Sequence, residues 1–217
     1  MLKAQIVPVT AFSQNCSIIW CDETMEAAFV DPGGEAEKLL DVAKKLGVTP
    51  KKIFLTHGHL DHAGGAQDIR EKLGLPVIGP HEDDKFWLDQ IEEHAANYGM
   101  PGLRCVAPDE WLKDGDEVTI GNVTLKVLHT PGHTPGHVVF YEPTHKVAFV
   151  GDVLFKGSIG RTDFPRGNHQ DLIDAITQKL WPLGNEVTFV PGHGPLSTFG
   201  AERQSNPFVG DRALATG

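Results

Sequence analysis

Four short apolar runs in this sequence each end in a loop dense with metal-ligating side chains. IFL (53–55) runs into THGHLDH, and LKVL (125–128) runs into HTPGHTPGH. VAFV (147–150) precedes Gly151-Asp152, and VTFV (187–190) precedes PGHG at 191–194. Ligands this far apart in the chain can act together only if the strand ends that carry them meet. Sheets in α/β proteins satisfy that condition, because loops from separated segments converge outside their strand ends. Glycine and proline beside each ligand position permit the sharp turns that aim side chains inward.

The intervening sequence fits the same class. Apolar and β-branched runs predict strands over 5–9, 17–20, 27–30 and 52–55. Apolar residues at 36, 39, 40, 43 and 46 predict a helix over 35–46, closed by Gly47. A brief helix is expected over 66–73. A longer one is expected over 83–98, with Trp87, Leu88, Ile91, Ala95 and Tyr98 on one face, read as core packing. Gly121-Asn122 is a hairpin turn between strands 117–120 and 124–128, and 137–141 and 146–150 suggest a second hairpin. Asn168 opens a helix carrying Leu172, Ile173, Ile176 and Leu180, and 187–190 is a last strand. Strands interleaved with helices mean an α/β fold. No linker, repeat or charge block interrupts them, so residues 1–217 read as one domain.

Charge excludes some partners. With 19 Lys and Arg against 29 Asp and Glu, the net charge of −10 repels phosphate backbones and anionic headgroups. Neither nucleic acid nor a membrane is an expected partner, and no run approaches the ~20 apolar residues of a membrane span. The N-terminal stretch lacks a signal-peptide layout. The three cysteines, Cys16, Cys21 and Cys105, form no CxxC and read as free thiols, with Cys16 and Cys21 buried. Free thiols suit a reducing compartment, and a cytoplasmic location is expected. Oligomeric state is not readable from the sequence.

The first ligand loop tests how many ions are needed. His57 and His59 are two apart, so in extended backbone both point to one side. Asp61 and His62 come a turn later and point elsewhere. One tetrahedral ion cannot accept all four together with His133, Asp152 and His193. The tally favours two adjacent divalent ions with the Asp152 carboxylate between them. Imidazole and carboxylate without thiolate suit zinc, iron or manganese and argue against an iron–sulfur cluster. His81, His94 and His145 read as surface histidines. His129, His137 and His169 are unassigned, His137 being a candidate to orient a ligand from behind.

These loops, with VDPGG at 30–34 and GDVLFKGSIGRTDFPRG at 151–167, resemble the metallo-β-lactamase superfamily. Within it the chain is most similar to the short, single-domain bacterial glyoxalase II branch, and the resemblance spans nearly the whole sequence. It implies a four-layer αββα sandwich with metals at the edge where the loops meet. By position it assigns His57, His59 and His133 to one ion, Asp61, His62 and His193 to the other, and Asp152 to both. It prefers His133 over His137 because the family's ligand is the first histidine of that pair. Asp31 resembles a position that supports the ligands from behind; a plain turn-forming aspartate explains it equally well. Zinc is the expected metal, with iron or manganese as alternatives.

Two ions sharing a water lower its pKa from 15.7 to about 7, which supplies hydroxide without a Ser or Cys nucleophile. Asp61 is the expected catalytic residue, orienting that hydroxide. A thiol of pKa about 8.5 leaves with little protonation, which favours a small-molecule thioester substrate over an amide. The resemblance implies hydrolysis of S-lactoylglutathione to D-lactate and glutathione. Arg161 and Arg166 are the expected substrate contacts. Only 24 residues follow His193, and Leu196 stands where the family has an aromatic residue, so glutathione selectivity is expected to be weaker than thioester hydrolysis. The rival branch, persulfide dioxygenases, shares GRTDF-type sequence and uses one iron, which His57, His133 and Asp152 could hold. Lactonase and β-lactamase are further readings of the same fold. A metal-binding protein without turnover is disfavoured by a site built from open loops.

Overall fold

Residues along the strand Gln14–Cys21 alternate in direction: Ile19 and Cys21 face a second sheet, whereas Cys16 and Ile18 face helices. That strand is β2 of a computed structural model describing residues 1–215. It lies in a five-stranded sheet ordered β1 (Leu2–Val9), β2, β3 (Glu26–Val30), β4 (Thr49–Phe54) and β5 (Val77–Ile78). Pairing is antiparallel as far as β3 and parallel from β3 to β5. The helices α1 (Ala36–Leu46), α3 (Ala66–Leu73) and α5 (Ile91–Asn97) cover its outer face. Leu39, Ala43, Ile69, Ile91 and Ala95 pack there with Phe29, Ile53 and Leu55. The four-residue α2 (Leu60–Ala63) lies between α1 and α3 in the chain.

The second sheet runs β6 (Glu117–Ile120), β7 (Val123–His129), β8 (Val138–Glu142), β9 (Val147–Gly151), β12 (Thr188–Pro191) and β13 (Ser197–Thr198). Only β9 and β12 pair in parallel within it. A small separate hairpin joins β10 (Leu154–Phe155) to β11 (Ser158–Ile159). The outer face is covered by α6 (His169–Asp174), its π-helical continuation Ala175–Leu180, and α7 (Phe199–Ser205). Leu172, Ile176, Leu180 and Phe199 meet Val139, Val150 and Phe189 there. Asn168 caps α6 as its sequence suggests, accepting from the Gln170 and Asp171 amides. A short α8 (Asp211–Ala215) follows.

Between the sheets, Phe54 stacks on Phe140 at 5.3 Å, surrounded by Val30, Leu125, Val127 and Phe149. Burying each such side chain contributes about 1.5–3 kcal/mol, so this layer holds the two sheets face to face. The result is the expected αββα order. Among the described residues, no helix is long and apolar enough to cross a membrane.

One expected element is different. The helix expected over 83–98 is a 3-10 turn at Glu82–Asp84, then α4 (Lys85–Leu88) and α5, with Asp89 and Gln90 between them. Asp84 is turned into the interior by bonds to two distant loops, so regular helix starts after it. Trp87, Leu88, Ile91 and Ala95 are buried as expected, but Tyr98 is exposed. Helical period marks a face; it does not say whether that face meets core or cleft.

Candidate metal centre

The loop after β4 delivers two pairs of candidate ligands in different directions. His57 and His59 leave extended backbone, and His59 is the N-terminal cap of α2, so Asp61 and His62 project from the first helical turn. His133 comes from the loop after β7, Asp152 follows β9, and His193 follows β12. Tight backbone is required where these loops meet. Gly151 has φ +49, and a Cβ there would lie 2.6 Å from both His137 Nε2 and Thr56 Oγ1. At Gly192 a Cβ would come within 2.2 Å of Asp152 Oδ1.

The seven side chains converge as two groups. His59 Nδ1 lies 3.1 Å from His57 Nε2 and 3.0 Å from His133 Nε2. In the other group, His193 Nε2 is 3.2 Å and His62 Nε2 is 3.9 Å from Asp61 Oδ2. Asp152 faces both: Oδ1 is 3.4 Å from His62 Nε2, while Oδ2 is 3.6 Å from His133 Nε2 and 3.7 Å from His193 Nε2. His57 and His62 are fully buried.

Hydrogen bonds behind the rings decide what faces inward. The Thr56 hydroxyl donates to Asp31 Oδ2 at 2.6 Å, so it accepts from His57 Nδ1–H at 3.0 Å. His62 Nδ1–H donates to the same Asp31 oxygen at 2.9 Å. His133 Nδ1–H donates to the Arg161 carbonyl at 2.8 Å, and His193 Nδ1–H to the Phe12 carbonyl at 3.2 Å. Each of these four rings therefore turns Nε2 to the centre, where as neutral imidazole it can ligate a metal. His62 Nε2 and Asp152 Oδ1 are buried without any hydrogen-bond partner. Clustered lone pairs and orphaned buried acceptors are costly unless a cation satisfies them, and they fit divalent metal ions.

Asp31 thus holds His62 and, through Thr56, His57, rather than merely forming a turn; it adopts φ 52 and also accepts the Thr56 amide at 2.7 Å. His137, unassigned from the sequence, is buried, and its Nε2 accepts the Asp152 amide at 3.1 Å. His129 donates to the Pro135 carbonyl at 2.8 Å, and His169 is exposed. His81 and His129 stack at 4.3 Å with planes 15° apart, so their in-plane lone pairs run side by side instead of meeting at one ion.

Asp84 carried no signal in the sequence, being one of three consecutive acidic residues. It is fully buried and binds Gly58, Thr134 and Gly136. Burial pushes its carboxyl up to about 6, with those hydrogen bonds holding it from going higher.

The two groups differ in proton affinity. Burial, then the neighbouring imidazoles, holds His57 well below the usual histidine range, and burial lowers His59 and His133 as well. Burial also opposes charge on His62, but the carboxylates of Asp152 and Asp61 outweigh it and raise His62 well above that range. His193 is raised too, its bond to Asp61 overcoming partial burial. Burial disfavours ionised Asp61 and Asp152, yet the imidazoles, His62 foremost, hold both below the usual carboxylate range. Metal ligation needs neutral imidazole, so the groups should take up metal with different proton release. Calorimetry at pH 7.5 in buffers of different ionisation enthalpy should show more protons released with one equivalent than with the other. Equal release from both equivalents would contradict this.

A cavity of about 770 Å³ opens beside the centre, with His59, Asp61, His133, Asp152 and His193 on its floor. Phe12, Trp87, Tyr98, Phe155 and Phe164 supply much of its wall. Trp87, buried as expected, also borders the cleft, while Tyr98, expected in the core, and His94, expected at the surface, line it. Arg161 also lines it, with its guanidinium 4.1 Å over the Phe164 ring and paired with Asp163 at 2.6 and 2.7 Å. Arg166 is not on that wall and stacks over Phe86 at 4.3 Å.

Comparison with known proteins agrees with this geometry. The family model of the metallo-β-lactamase superfamily matches residues 9–193. The hydroxyacylglutathione hydrolase GloC of Haemophilus influenzae is 46% identical over 213 residues, covering 98% of this chain and 100% of that protein. The crystal structure of the B3 metallo-β-lactamase BLEG-1 superposes with a TM-score of 0.86 at 38% identity, covering 96% of this chain and 99% of BLEG-1. The crystal structure of TTHA1623 in a di-iron-bound form gives a TM-score of 0.86 at 36% identity, covering 94% and 99%. From the family match, the GloC likeness and the buried His/Asp clusters together, the chain belongs to the metallo-β-lactamase superfamily and is a metallo-hydrolase.

Proposed function

We propose that this protein hydrolyses thioesters with two divalent ions, S-lactoylglutathione being the leading substrate. The observation that carries the reading is the pair of ligand groups with Asp152 between them, beside a cavity walled by aromatic rings. In this reading His57, His59 and His133 hold one ion, Asp61, His62 and His193 hold the second, and Asp152 serves both. Such ions act as Lewis acids and lower the pKa of water to about 7. The GloC likeness supports the glutathione thioester, and the TTHA1623 likeness makes iron an alternative to zinc.

The chain's own residues do the rest. Asp61 lies on the cavity floor, with Oδ2 in contact with His193 Nε2 at 3.2 Å, and its carboxylate accepts a hydrogen bond from the attacking water. The aromatic wall excludes bulk water and holds the acyl group against the floor, which keeps the reacting atoms in near-attack geometry. The thiol half leaves as thiolate, so no residue needs to deliver a proton to it. Arg161 is the proposed contact for a substrate carboxylate, exchanging its exposed Asp163 partner for the substrate; Arg166 stays a more distant candidate.

Metal-replete protein should hydrolyse S-lactoylglutathione, lose that activity on chelation and regain it on adding zinc or iron. Failure on every thioester tried would end the reading. Arg161→Gln should raise KM for S-lactoylglutathione about tenfold with kcat nearly unchanged, as loss of uniform binding does. A fall in kcat with KM unchanged would remove Arg161 from substrate binding. The BLEG-1 likeness favours β-lactam hydrolysis as a second reading, tested by a chromogenic cephalosporin under the same conditions. An amide nitrogen needs a proton to depart, and thioester turnover is expected to exceed lactam turnover.

A further inference from the structure

Asp84 is a buried carboxylate that the proposed chemistry leaves unused. Its Oδ2 accepts the Gly58 amide at 2.8 Å and the Thr134 hydroxyl at 2.7 Å, and its Oδ1 accepts the Gly136 amide at 2.6 Å. These donors belong to two loops from different sheets. Gly58 separates His57 from His59, and Thr134 follows His133. The backbone strengthens the same join: the His81 amide donates to the Gly136 carbonyl at 3.0 Å, and the Asp84 amide to the His81 carbonyl at 3.1 Å.

The fit around it leaves no slack. A Cβ at Gly136 would lie 2.5 Å from the Asp84 amide nitrogen, and one at Gly58 would lie 2.9 Å from the Asp84 carbonyl oxygen. The other ligand group is braced elsewhere: His62 leans on Asp31 and His193 on the Phe12 carbonyl. Burying a carboxylate is costly, and here the cost is offset by donors in the two loops, of which Gly58 and Thr134 flank proposed ligands.

We infer that Asp84 is a positioning residue that holds the His57/His59 loop and the His133 loop in register, so that their three ring nitrogens bind one ion selectively tightly. The inference rests on the ligand reading proposed above. It acts through the backbone of Gly58 and Gly136 and through Thr134, without touching the ion.

Zinc titration of the metal-free protein against a chromophoric chelator tests it. Asp84→Asn preserves size but offers one acceptor oxygen to three donors. One of two zinc equivalents should weaken about 10–100-fold while the other stays within about twofold. Far-UV circular dichroism of the metal-free variant should match wild type. Wild-type affinity at both equivalents, or equal weakening of both, overturns the inference. Should Asp84→Asn fail to fold, Thr134→Val removes a single donor and should weaken the same equivalent about threefold or more, with Thr134→Ser restoring it. No change in Thr134→Val counts against Asp84. A wild-type protein that takes up no zinc or iron refutes the ligand reading itself, a different result from two tight equivalents that ignore Asp84.

Discussion

Asp152→Ala should lower kcat/KM for S-lactoylglutathione about 10³-fold, equivalent to about 4 kcal/mol of transition-state stabilisation. The size follows from its position. Asp152 approaches His62 at 3.4 Å, His133 at 3.6 Å and His193 at 3.7 Å, so its carboxylate faces both ligand groups. In the proposed two-ion reading, a carboxylate between the two ligand groups would offset the repulsion of the cations that they hold. Alanine removes that charge and leaves His62 Nε2 with only Asp61, 3.9 Å away, as a nearby carboxylate. The variant should retain at most one metal equivalent, measured by elemental analysis alongside activity. Two retained equivalents with activity within about tenfold of wild type would refute the bridging role.

The second large effect is expected at a residue that touches neither substrate nor ion. Asp31→Asn should weaken metal binding about 10–100-fold and destabilise the metal-free protein by about 1–3 kcal/mol. Asp31 accepts three bonds, from the Thr56 amide at 2.7 Å, the Thr56 hydroxyl at 2.6 Å and His62 Nδ1 at 2.9 Å. Asparagine has one acceptor oxygen for those three donors. One loss falls on the ring whose tautomer aims His62 Nε2 at the centre, and through Thr56 the change also reaches His57. Asparagine tolerates the left-handed backbone at φ 52, so the change isolates the hydrogen bonds from backbone strain. Chelator competition and thermal melting read the two effects separately. Unaltered values in both would return Asp31 to the role of a turn residue.

The side chains that converge were legible in the sequence because their spacing is a local pattern. His57 and His59 two apart, Asp61 and His62 one turn on, and a strand before each loop are patterns of neighbours. Asp84 was not legible, since its partners lie 26, 50 and 52 residues away and its neighbours are ordinary surface acids. Asp31 was open between two readings until His62, 31 residues on, was placed against it. The cavity wall was misjudged at Tyr98 because Phe12, whose ring meets it edge to face at 5.7 Å, comes from another segment.

The sequence by itself determined the α/β class, the strand that feeds each ligand loop and the chemical type of the ligands. These depend on period, turn residues and donor atoms, all written within a few positions of each other. Only the tertiary structure decided which nitrogens face one another, which hydrogen bonds fix their tautomers and which buried carboxylate joins the loops. Those features arise when two sheets pack face to face and bring side chains beyond distant strand ends within 3.0–3.7 Å of one another, a proximity that no local pattern encodes.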